Sequence, residues 1–334
     1  MSTTIKDVAK LAGVSVATVS RVINGTKAVS QEVTERVIKA INETSFKPNA
    51  LARSLAGKKS NMIGVVVNDI NNMYFGELVS SIEKTATYYN YSTILCNSNG
   101  DRKIELDNFY LLKDKGVDGI IFTAHKTVQE GILEFIKNNP MPTISLNSTC
   151  AGALSISVDN KLESYEATKF LMEIGHRNIA NIRAFCSDDA CGVSRYEGYK
   201  MAIMEAGIPL KPSMVTAGDF TIESGYNACE KLMMFNKNIT AIVCANDEMA
   251  FGALNYLFDK GINVPGEVSI IGFDDIKISR FIRPRLTTLH QPISEIGNMS
   301  AKILIDMINK GEKIQDKDIV LKGSIEVRES TRQI

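Results

Sequence analysis

The feature that most constrains this 334-residue chain is a regular alternation of apolar strands and amphipathic helices that starts at residue 62. Short continuous apolar runs indicate strands buried on both faces, and the helical stretches between them indicate parallel connections. Strands are predicted in MIGVVVND, STILCNS, GIIFTA and PTISLN, with helices in YFGELVSSIEKTATYY, ELDNFYLLKDKG and VQEGILEFIKNN. The pattern therefore predicts a doubly wound α/β layer with a parallel sheet.

The same alternation restarts near residue 160. Helices are expected near 160–174 and 194–206, around YNACEKLMMF and up to Lys260, with strands at NIANIRA, near 213–217, at TAIVCAND and at VSIIGFDD. Two series in tandem predict two subdomains with a cleft between them. RPRLTTLHQP then leads to the helix ISEIGNMSAKILIDMIN, and IVLKGSIEVRES follows, so the chain is expected to cross three times. We assign an N-subdomain to about 62–158 and 292–320, and a C-subdomain to about 159–291 and 321–334.

Polar residues follow several of the predicted strands. Open parallel sheets bind ligands beyond the carboxyl ends of their strands, which makes these positions candidates for a small-molecule site. They are Asn68, Asp69, Ala124, Asn147, Asn246, Asp247, Asp274 and Asp275. A cap of the following helix explains any one of them equally well. Their expected convergence on one cleft is what favours a ligand.

The charge of the chain is unevenly distributed. The first sixty residues carry ten basic and four acidic side chains, a net charge of +6, and because the whole chain is neutral the remainder carries −6. A basic head on an acidic body favours a polyanion as partner of the head. A solvated charged surface would give the same counts, so the interpretation depends on the structural motif.

Three short helices are expected in the head, each with a capping residue and an apolar stripe. The caps are Thr4 with Asp7, then Ser15, then Ser30. The stripes are Val8, Leu11 and Ala12; Val19, Val22 and Ile23; and Val33, Val37 and Ile41. Gly13 would end the first helix, and two short helices joined by a tight glycine turn have the layout of a helix-turn-helix. A helical hairpin without a DNA role shares this layout, but the charge of +6 on the same residues makes that alternative weaker.

The segment FKPNALARSLAGKKSN follows the third helix. Pro48 ends that helix, and Asn49 could cap a short one that has too few apolar residues to be stable alone. We assign residues 1–48 to a DNA-binding headpiece and 49–61 to a hinge helix and linker, ordered only by a partner.

The run TIKDVAKLAGVSVATVSRVING, followed by KPNALARSL, resembles the N-terminal signature of the lactose-repressor (LacI/GalR) family of bacterial transcription regulators. The similarity continues in order to the C-terminus. It implies that the second helix lies in the major groove, and that the hinge helices of two subunits enter the minor groove, where Leu55 wedges into a base step. The residues expected to contact DNA are Thr4, Ser15, Val16, Ala17, Thr18, Ser20, Arg21, Asn24, Asn49, Ala52, Arg53 and Leu55.

Val16 and Ala17 stand at the positions that vary most among the base-reading residues of the family. Both are small and apolar, so they can touch a thymine methyl group but cannot hydrogen-bond to a base. We therefore expect a degenerate set of operators, read through Arg21, the kink at Leu55 and the deformability of the DNA.

The resemblance also implies a core like that of the periplasmic sugar-binding proteins (type I) and roles for residues in its cleft. Tyr74 and Phe75 match an aromatic pair, although Met73 replaces the usual proline and plain core residues would look alike. Arg195 matches an effector-clamping arginine, Phe220 an aromatic wall, and Asn246 and Asp274 polar ligands. The expected effector-binding residues are Asp69, Tyr74, Phe75, Ala124, Asn147, Arg195, Phe220, Asn246 and Asp274.

Other protein classes have less support. The chain shows no nucleophile with its base, no phosphate loop and no metal-ligand spacing, and His125, His176 and His290 are far apart, so no enzyme, cofactor or metal is expected. The six scattered cysteines are expected to be thiols. No apolar run approaches the roughly 18 residues of a membrane helix, and the start MSTTIKDVAKLAG lacks a secretory apolar region. A cytoplasmic, nucleoid-associated protein is expected, and not a membrane or periplasmic one.

Together these features predict a repressor with a three-helix headpiece and a two-subdomain α/β core, controlled by a sugar or sugar phosphate. No leucine heptads follow Arg328, so a homodimer on double-stranded operator DNA is expected. One alternative comes from YFGELVSSIEKTATYYNYSTILCNSN, which is most similar to the catabolite-control branch of the family. That branch uses a serine-phosphorylated phosphocarrier protein as corepressor. A nucleobase effector is a further alternative.

Overall fold

The computed structural model describes residues 3–24, 29–44, 46, 59–123, 128–184, 190–312 and 317–334. The chain divides into two compact units, Met1–Ser60 and Asn61–Ile334. No helix among the described residues is both long and apolar enough to cross a membrane.

The first unit contains α1 (Ile5–Ala12), α2 (Val16–Asn24) and α3 (Gln31–Thr44). The predicted capping box is present, because the Asp7 carboxylate accepts hydrogen bonds from the Thr4 main-chain N–H at 2.8 Å and hydroxyl at 2.7 Å. Gly13 follows α1 with φ of +65°, the left-handed conformation that glycine adopts without strain. Ser15 Oγ accepts from the Thr18 N–H at 3.1 Å and so caps α2.

The core of the first unit is built from one face of each helix. Val8, Val19 and Val37 are fully buried, as the apolar stripes predicted. The prediction is wrong at Leu11, which is 52% exposed, whereas Ala9 is buried. The reason is geometric: α1 buries the face centred between Val8 and Ala9, and this turns Leu11 toward solvent.

The second unit alternates strands and helices along its whole length. Its first part contains β1 (Met62–Val67), α4 (Met73–Tyr88), β2 (Ser92–Asn97), α5 (Arg102–Asp114), β3 (Gly119–Thr123), α6 (Glu130–Asn138), β4 (Thr143–Leu146) and β5 (Leu154–Val158). Next come α7 (Asn160–Glu173), β6 (Ile179–Ala184), α8 (Ala190–Glu205), β7 (Val215–Gly218), α9 (Ile222–Phe235), β8 (Ala241–Cys244), α10 (Asp247–Asp259), β9 (Ser269–Asp274) and β10 (Thr287–His290). The last elements are α11 (Ile293–Lys310), β11 (Lys317–Leu321) and β12 (Ser324–Glu326).

These strands form two six-stranded sheets, in the orders β11-β5-β4-β3-β1-β2 and β12-β10-β9-β8-β6-β7. We call the parts built on them the first and second subdomains. Every pairing is parallel except that of β12 with β10. The predicted parallel α/β architecture is therefore confirmed. Strand β5 was not predicted from the sequence, because LSISV is a short run that follows a turn and directly precedes a helix.

The chain passes between the subdomains after β5, after β10 and after β11. The last passage splits IVLKGSIEVRES, with β11 in the first sheet and β12 in the second. Leu321 pairs with Val158 in the first sheet. This moves the proposed start of the final C-subdomain segment past residue 321.

Candidate ligand cleft and nucleic-acid surface

Tyr74 lies where the carboxyl ends of both sheets meet. Its hydroxyl donates a 2.9 Å hydrogen bond to Asn147 Oδ1, and the residue is only 6% exposed. Burial raises the pKa of Tyr74, and Cys191 and Asp274 of the second subdomain raise it further, while Arg195 lowers it. These electrostatic effects require proximity, so Tyr74 faces the second subdomain across a shared cleft.

Arg195 is a buried cation held in one position. Its Nε donates to Asn160 Oδ1 at 2.8 Å, and Nη1 donates to the Ala245 carbonyl at 2.6 Å. Nη1 also lies 3.4 Å from Asp274 Oδ1, and the guanidinium stacks 3.6 Å from the centre of the Phe273 ring. A planar guanidinium fixed on three sides is preorganised for hydrogen bonding to a ligand.

Asp274 is the acceptor beside Arg195. Gln291 Nε2 donates to Asp274 Oδ1 at 2.6 Å. Burial raises the pKa of Asp274 to about 6, against the opposing effects of Arg195 and Gln291. Asp274 and Asp275 have φ of 121° and 56°, a left-handed backbone that costs about 1–3 kcal/mol per residue and is commonly retained at binding sites.

Some strand-end residues make hydrogen bonds that stabilise local structure. Asn246 Oδ1 accepts from the Met249 N–H at 2.9 Å and caps α10, while its Nδ2 donates to the Phe220 carbonyl at 3.0 Å. Asp69 accepts from the Asn71 N–H at 2.9 Å within a turn. The observed contacts of Asn246 and Asp69 are therefore those of a helix cap and a turn, which is the alternative to ligand binding that the sequence allowed.

Two further aspartates after strands are structural. Asp247 is completely buried and accepts from the Ile276 N–H at 3.0 Å and the Ser279 hydroxyl at 2.6 Å. The Asp275 carboxylate binds Arg328 at 2.6 Å and Arg280 at 2.7 Å. Both carboxylates are used to hold neighbouring loops in place.

The two predicted phenylalanines of the cleft, Phe75 and Phe220, are both partly buried. The Phe75 ring stands perpendicular to Tyr74 with the ring centres 5.2 Å apart. Phe220 has φ of 70°, and both phenylalanines are half-buried against the main core. Ala124 lies outside the described residues.

Several contacts in the cleft were not found from the sequence. Asn160 binds Arg195, and Gln291 binds Asp274. Asn160 and Gln291 each lie next to a crossing between the subdomains, and this position in the sequence could have identified them. Glu248 Oε1 accepts from the Met73 N–H at 2.8 Å, and a carboxylate of α4 makes the reverse contact. No cluster of His, Cys, Asp or Glu among the described residues is arranged to hold a metal ion.

The first unit presents α2 to solvent on its predicted outer face. Val16 is 40% exposed, Ala17 and Arg21 are exposed, and Ser20 is half-buried. The Ser15 and Thr18 hydroxyls lie 2.9 Å apart, and the Thr4 hydroxyl is used in the capping box. The helix ends at Asn24. The predicted minor-groove residues Asn49, Ala52, Arg53 and Leu55 lie outside the described residues.

Comparison with known proteins gives two family matches. Residues 4–49 match "Bacterial regulatory proteins, lacI family", and residues 60–322 match "Periplasmic binding proteins and sugar binding domain of LacI family". Catabolite control protein A of Priestia megaterium is 38% identical over 335 residues, covering 99% of this chain and 100% of the relative.

Two solved structures illustrate the similarity of fold. The lac repressor dimer bound to operator and the anti-inducer ONPF has a TM-score of 0.89 and 26% identity, with 99% of this chain and 100% of that chain covered. A LacI-family transcriptional regulator from Enterococcus faecium with bound ribose has a TM-score of 0.74 and 33% identity, with 82% of this chain and 99% of that chain covered.

Proposed function

Because this chain belongs to the LacI family of bacterial regulatory proteins, we propose that its core binds a small carbohydrate whose presence changes the affinity of the headpiece for operator DNA. Members of the family are DNA-binding transcription regulators and not enzymes. The protein is therefore a transcription regulator with an effector-binding core.

The observation that carries the proposal is the buried pair formed by Arg195 and Asp274, with Nη1 3.4 Å from Oδ1. A guanidinium donates and a carboxylate accepts, so adjacent groups of this kind match the vicinal hydroxyls of a sugar. Tyr74 and Phe75 add aromatic faces against which the C–H face of a sugar ring packs. The ribose bound to the Enterococcus faecium relative supports this ligand class.

Charge favours a neutral sugar over a sugar phosphate. Asp69, Glu248 and Asp274 lie near the cleft. Asp69 raises the pKa of Glu248, and Asp274 raises the pKa of Tyr74, as nearby negative charges do. Arg195 is already neutralised by Asp274. A phosphate would add negative charge beside these three carboxylates, whereas an uncharged polyol would not.

We place operator recognition on α2 and on the hinge. In a homodimer each headpiece would read one half of a pseudo-palindromic operator, with Arg21 at base edges and Leu55 in the central step. Closure of the cleft would move one subdomain against the other through the three crossings, and the hinge would respond. Binding to chromosomal DNA locates the protein at the nucleoid in the cytoplasm.

A thermal-shift and calorimetric screen tests the effector class, because a ligand that binds only the folded state stabilises it by about 2.7 kcal/mol at 100 times its Kd. The panel contains neutral mono- and disaccharides, sugar phosphates and nucleobases, each followed by a mobility-shift titration on operator DNA. We expect stabilisation by a neutral sugar and a change in operator affinity with the same sugar. Stabilisation by sugar phosphates or nucleobases alone would contradict the proposed class.

A second candidate effector is a serine-phosphorylated phosphocarrier protein acting as corepressor. The 38% identity to catabolite control protein A along the full chain favours it. The two candidates differ in outcome: the phosphorylated carrier would raise operator affinity in the mobility-shift assay, while its unphosphorylated form would have no effect. An effect of sugars together with none of the phosphorylated carrier would exclude this candidate.

A further inference from the structure

A cavity of about 390 Å³ lies in the second subdomain, away from the ligand cleft. It is formed at the amino-terminal ends of β6 and β8, by residues 177–179 and 235–239, together with residues 208–214 and the last two turns of α8. The ligand cleft lies at the opposite, carboxyl ends of the same strands. The volume is within the range of about 300–1,000 Å³ that small-molecule sites occupy.

The floor of this distal cavity is apolar and rigid. Ile179, Tyr199, Ile203 and Ile239 line it, and none of them is more than 4% exposed. The one polar atom of this set, the Tyr199 hydroxyl, already donates to the Ile179 carbonyl at 2.9 Å. Because these four side chains are almost inaccessible, they form a packed base, and the apolar surface open to a ligand comes from the half-buried Ile208 and Met214. Phe235 at the rim is 78% exposed and extends this surface.

The rim of the distal cavity is basic. Arg177, Lys211 and Lys237 are among its lining residues, and no aspartate or glutamate is among the described residues that line it. The Arg177 guanidinium is held by the carbonyls of Met172 and His176, at 2.8 and 2.9 Å. Residues 61–334 carry a net charge of −6, so three cations without a carboxylate form a local reversal of charge. Such a concave positive surface attracts anions.

The walls of the distal cavity are tied together. Asn236 Nδ2 donates to the Ser213 carbonyl at 2.6 Å, and the Ser213 hydroxyl donates to Asn236 Oδ1 at 3.2 Å. The Ile208 N–H donates to the Ile203 carbonyl at 3.0 Å and fixes the start of the other wall. A preformed site of this kind does not lose affinity to the ordering of its loops.

We propose that the distal cavity is a second ligand site, which takes a small organic anion with an apolar body and a phosphate or carboxylate group. The apolar body would contact Ile208, Met214 and Phe235. The anionic group would lie between Lys211, Lys237 and Arg177. Neither feature alone would select such a ligand, because the apolar side chains have no donor and the three cations would attract any small anion. This site is independent of the carbohydrate cleft.

Three probes test the apolar surface and the cations of the distal cavity separately. Binding of each probe to the full chain is measured by saturation-transfer NMR and calorimetry. Phenyl phosphate carries both the ring and the anion, phenol carries only the ring, and inorganic phosphate carries only the anion. We expect phenyl phosphate to bind at least about tenfold more tightly than either single-feature probe. The double variant Lys211→Glu/Lys237→Glu, which changes two exposed side chains, should weaken phenyl phosphate by about tenfold or more.

The matched control is Lys103→Glu/Lys137→Glu, which makes the same charge change on exposed lysines of the first subdomain. This control and Arg195→Ala should both bind phenyl phosphate as the wild type does, which separates the distal cavity from the carbohydrate cleft. Three results would overturn the proposal: equal loss in both lysine double variants, inorganic phosphate bound as tightly as phenyl phosphate, or loss of binding in Arg195→Ala. Binding only of an acidic aromatic peptide would also overturn it, in favour of a protein partner.

Discussion

Glu248 Oε1 accepts a 2.8 Å hydrogen bond from the main-chain N–H of Met73, although the two residues belong to different subdomains. Met73 begins α4, so the Glu248 carboxylate lies at the positive end of that helix. The reverse contact is also present, because Glu77 of α4 accepts from the Lys277 N–H at 2.6 Å in the second subdomain. We call these two contacts the reciprocal carboxylate clamp.

The clamp holds the subdomains in the arrangement that brings Tyr74 toward Arg195 and Asp274. Glu248→Ala removes one acceptor, and a hydrogen bond to a charged group contributes about 1.5–3 kcal/mol. We expect the effector affinity to fall by about tenfold or more, measured by calorimetry. Glu83→Ala, which removes an exposed carboxylate from the same helix, should leave it unchanged. Unchanged affinity in Glu248→Ala would show that the clamp does not control closure.

Effector binding should depend on pH through Asp274, whose pKa burial raises to about 6. At pH 5.5 only about a quarter of this carboxyl is ionised, compared with nearly all at pH 7.5, so we expect binding to weaken about fourfold on acidification. Asp274→Asn should bind the sugar weakly and without this pH dependence. A wild-type affinity that is constant between pH 7.5 and 5.5 would exclude the ionised carboxylate as an effector ligand.

The same group makes a contribution of known sign to stability. Its pKa is raised from 3.8 to about 6 in the folded chain, so the folded state binds the proton more tightly than the unfolded state. The stabilisation by protonated Asp274 is fully present below pH about 4 and is lost as the pH rises through about 6. Chemical denaturation of wild type and Asp274→Asn over this range should show a difference in unfolding free energy that grows toward neutral pH.

Replacement of Arg195 should separate effector binding from DNA binding. Arg195→Ala removes the donor beside Asp274 and leaves that buried carboxylate without its cation, so effector affinity should fall at least about 50-fold. Arg195→Lys should not restore it, because a lysine cannot bind Asn160 and the Ala245 carbonyl with one planar group. Lys200→Ala, on the same helix, is the control. Operator binding without effector should be retained in all three, as a mobility-shift titration can show.

Arg21 is expected to contribute to specific DNA recognition. Arg21→Ala should weaken operator binding by about 5- to 150-fold, since a base-contacting arginine contributes about 1–3 kcal/mol, while effector binding stays intact. Lys39→Ala removes the same charge from α3, where Lys39 lies 3.9 Å from Glu43. It should lower specific and non-specific binding together and only slightly. Equal effects of the two substitutions would argue against α2 as the recognition helix.

Local features of the chain were predictable. The Thr4–Asp7 capping box, the Ser15 cap and the buried valines of the head depend on residues within one or two turns of each other. The apolar runs that form β1, β3, β8 and β9 were also evident, because a strand buried on both faces admits few polar residues. Leu11 was misplaced since periodicity identifies an apolar stripe but not the neighbouring helix that sets its centre.

The sequence by itself determined the helix caps, the strand–helix alternation and the basic head, because each depends on interactions between near neighbours. Only the tertiary structure decided how the cleft is held. Asn160 binds Arg195 across 35 residues, Gln291 binds Asp274 across 17, and Glu248 binds Met73 across 175. Contacts at such separations arise from the packing of whole sheets, and no local pattern specifies them. The same packing made Asn246 a helix cap and placed Arg195 and Asp274 near Tyr74 in the cleft.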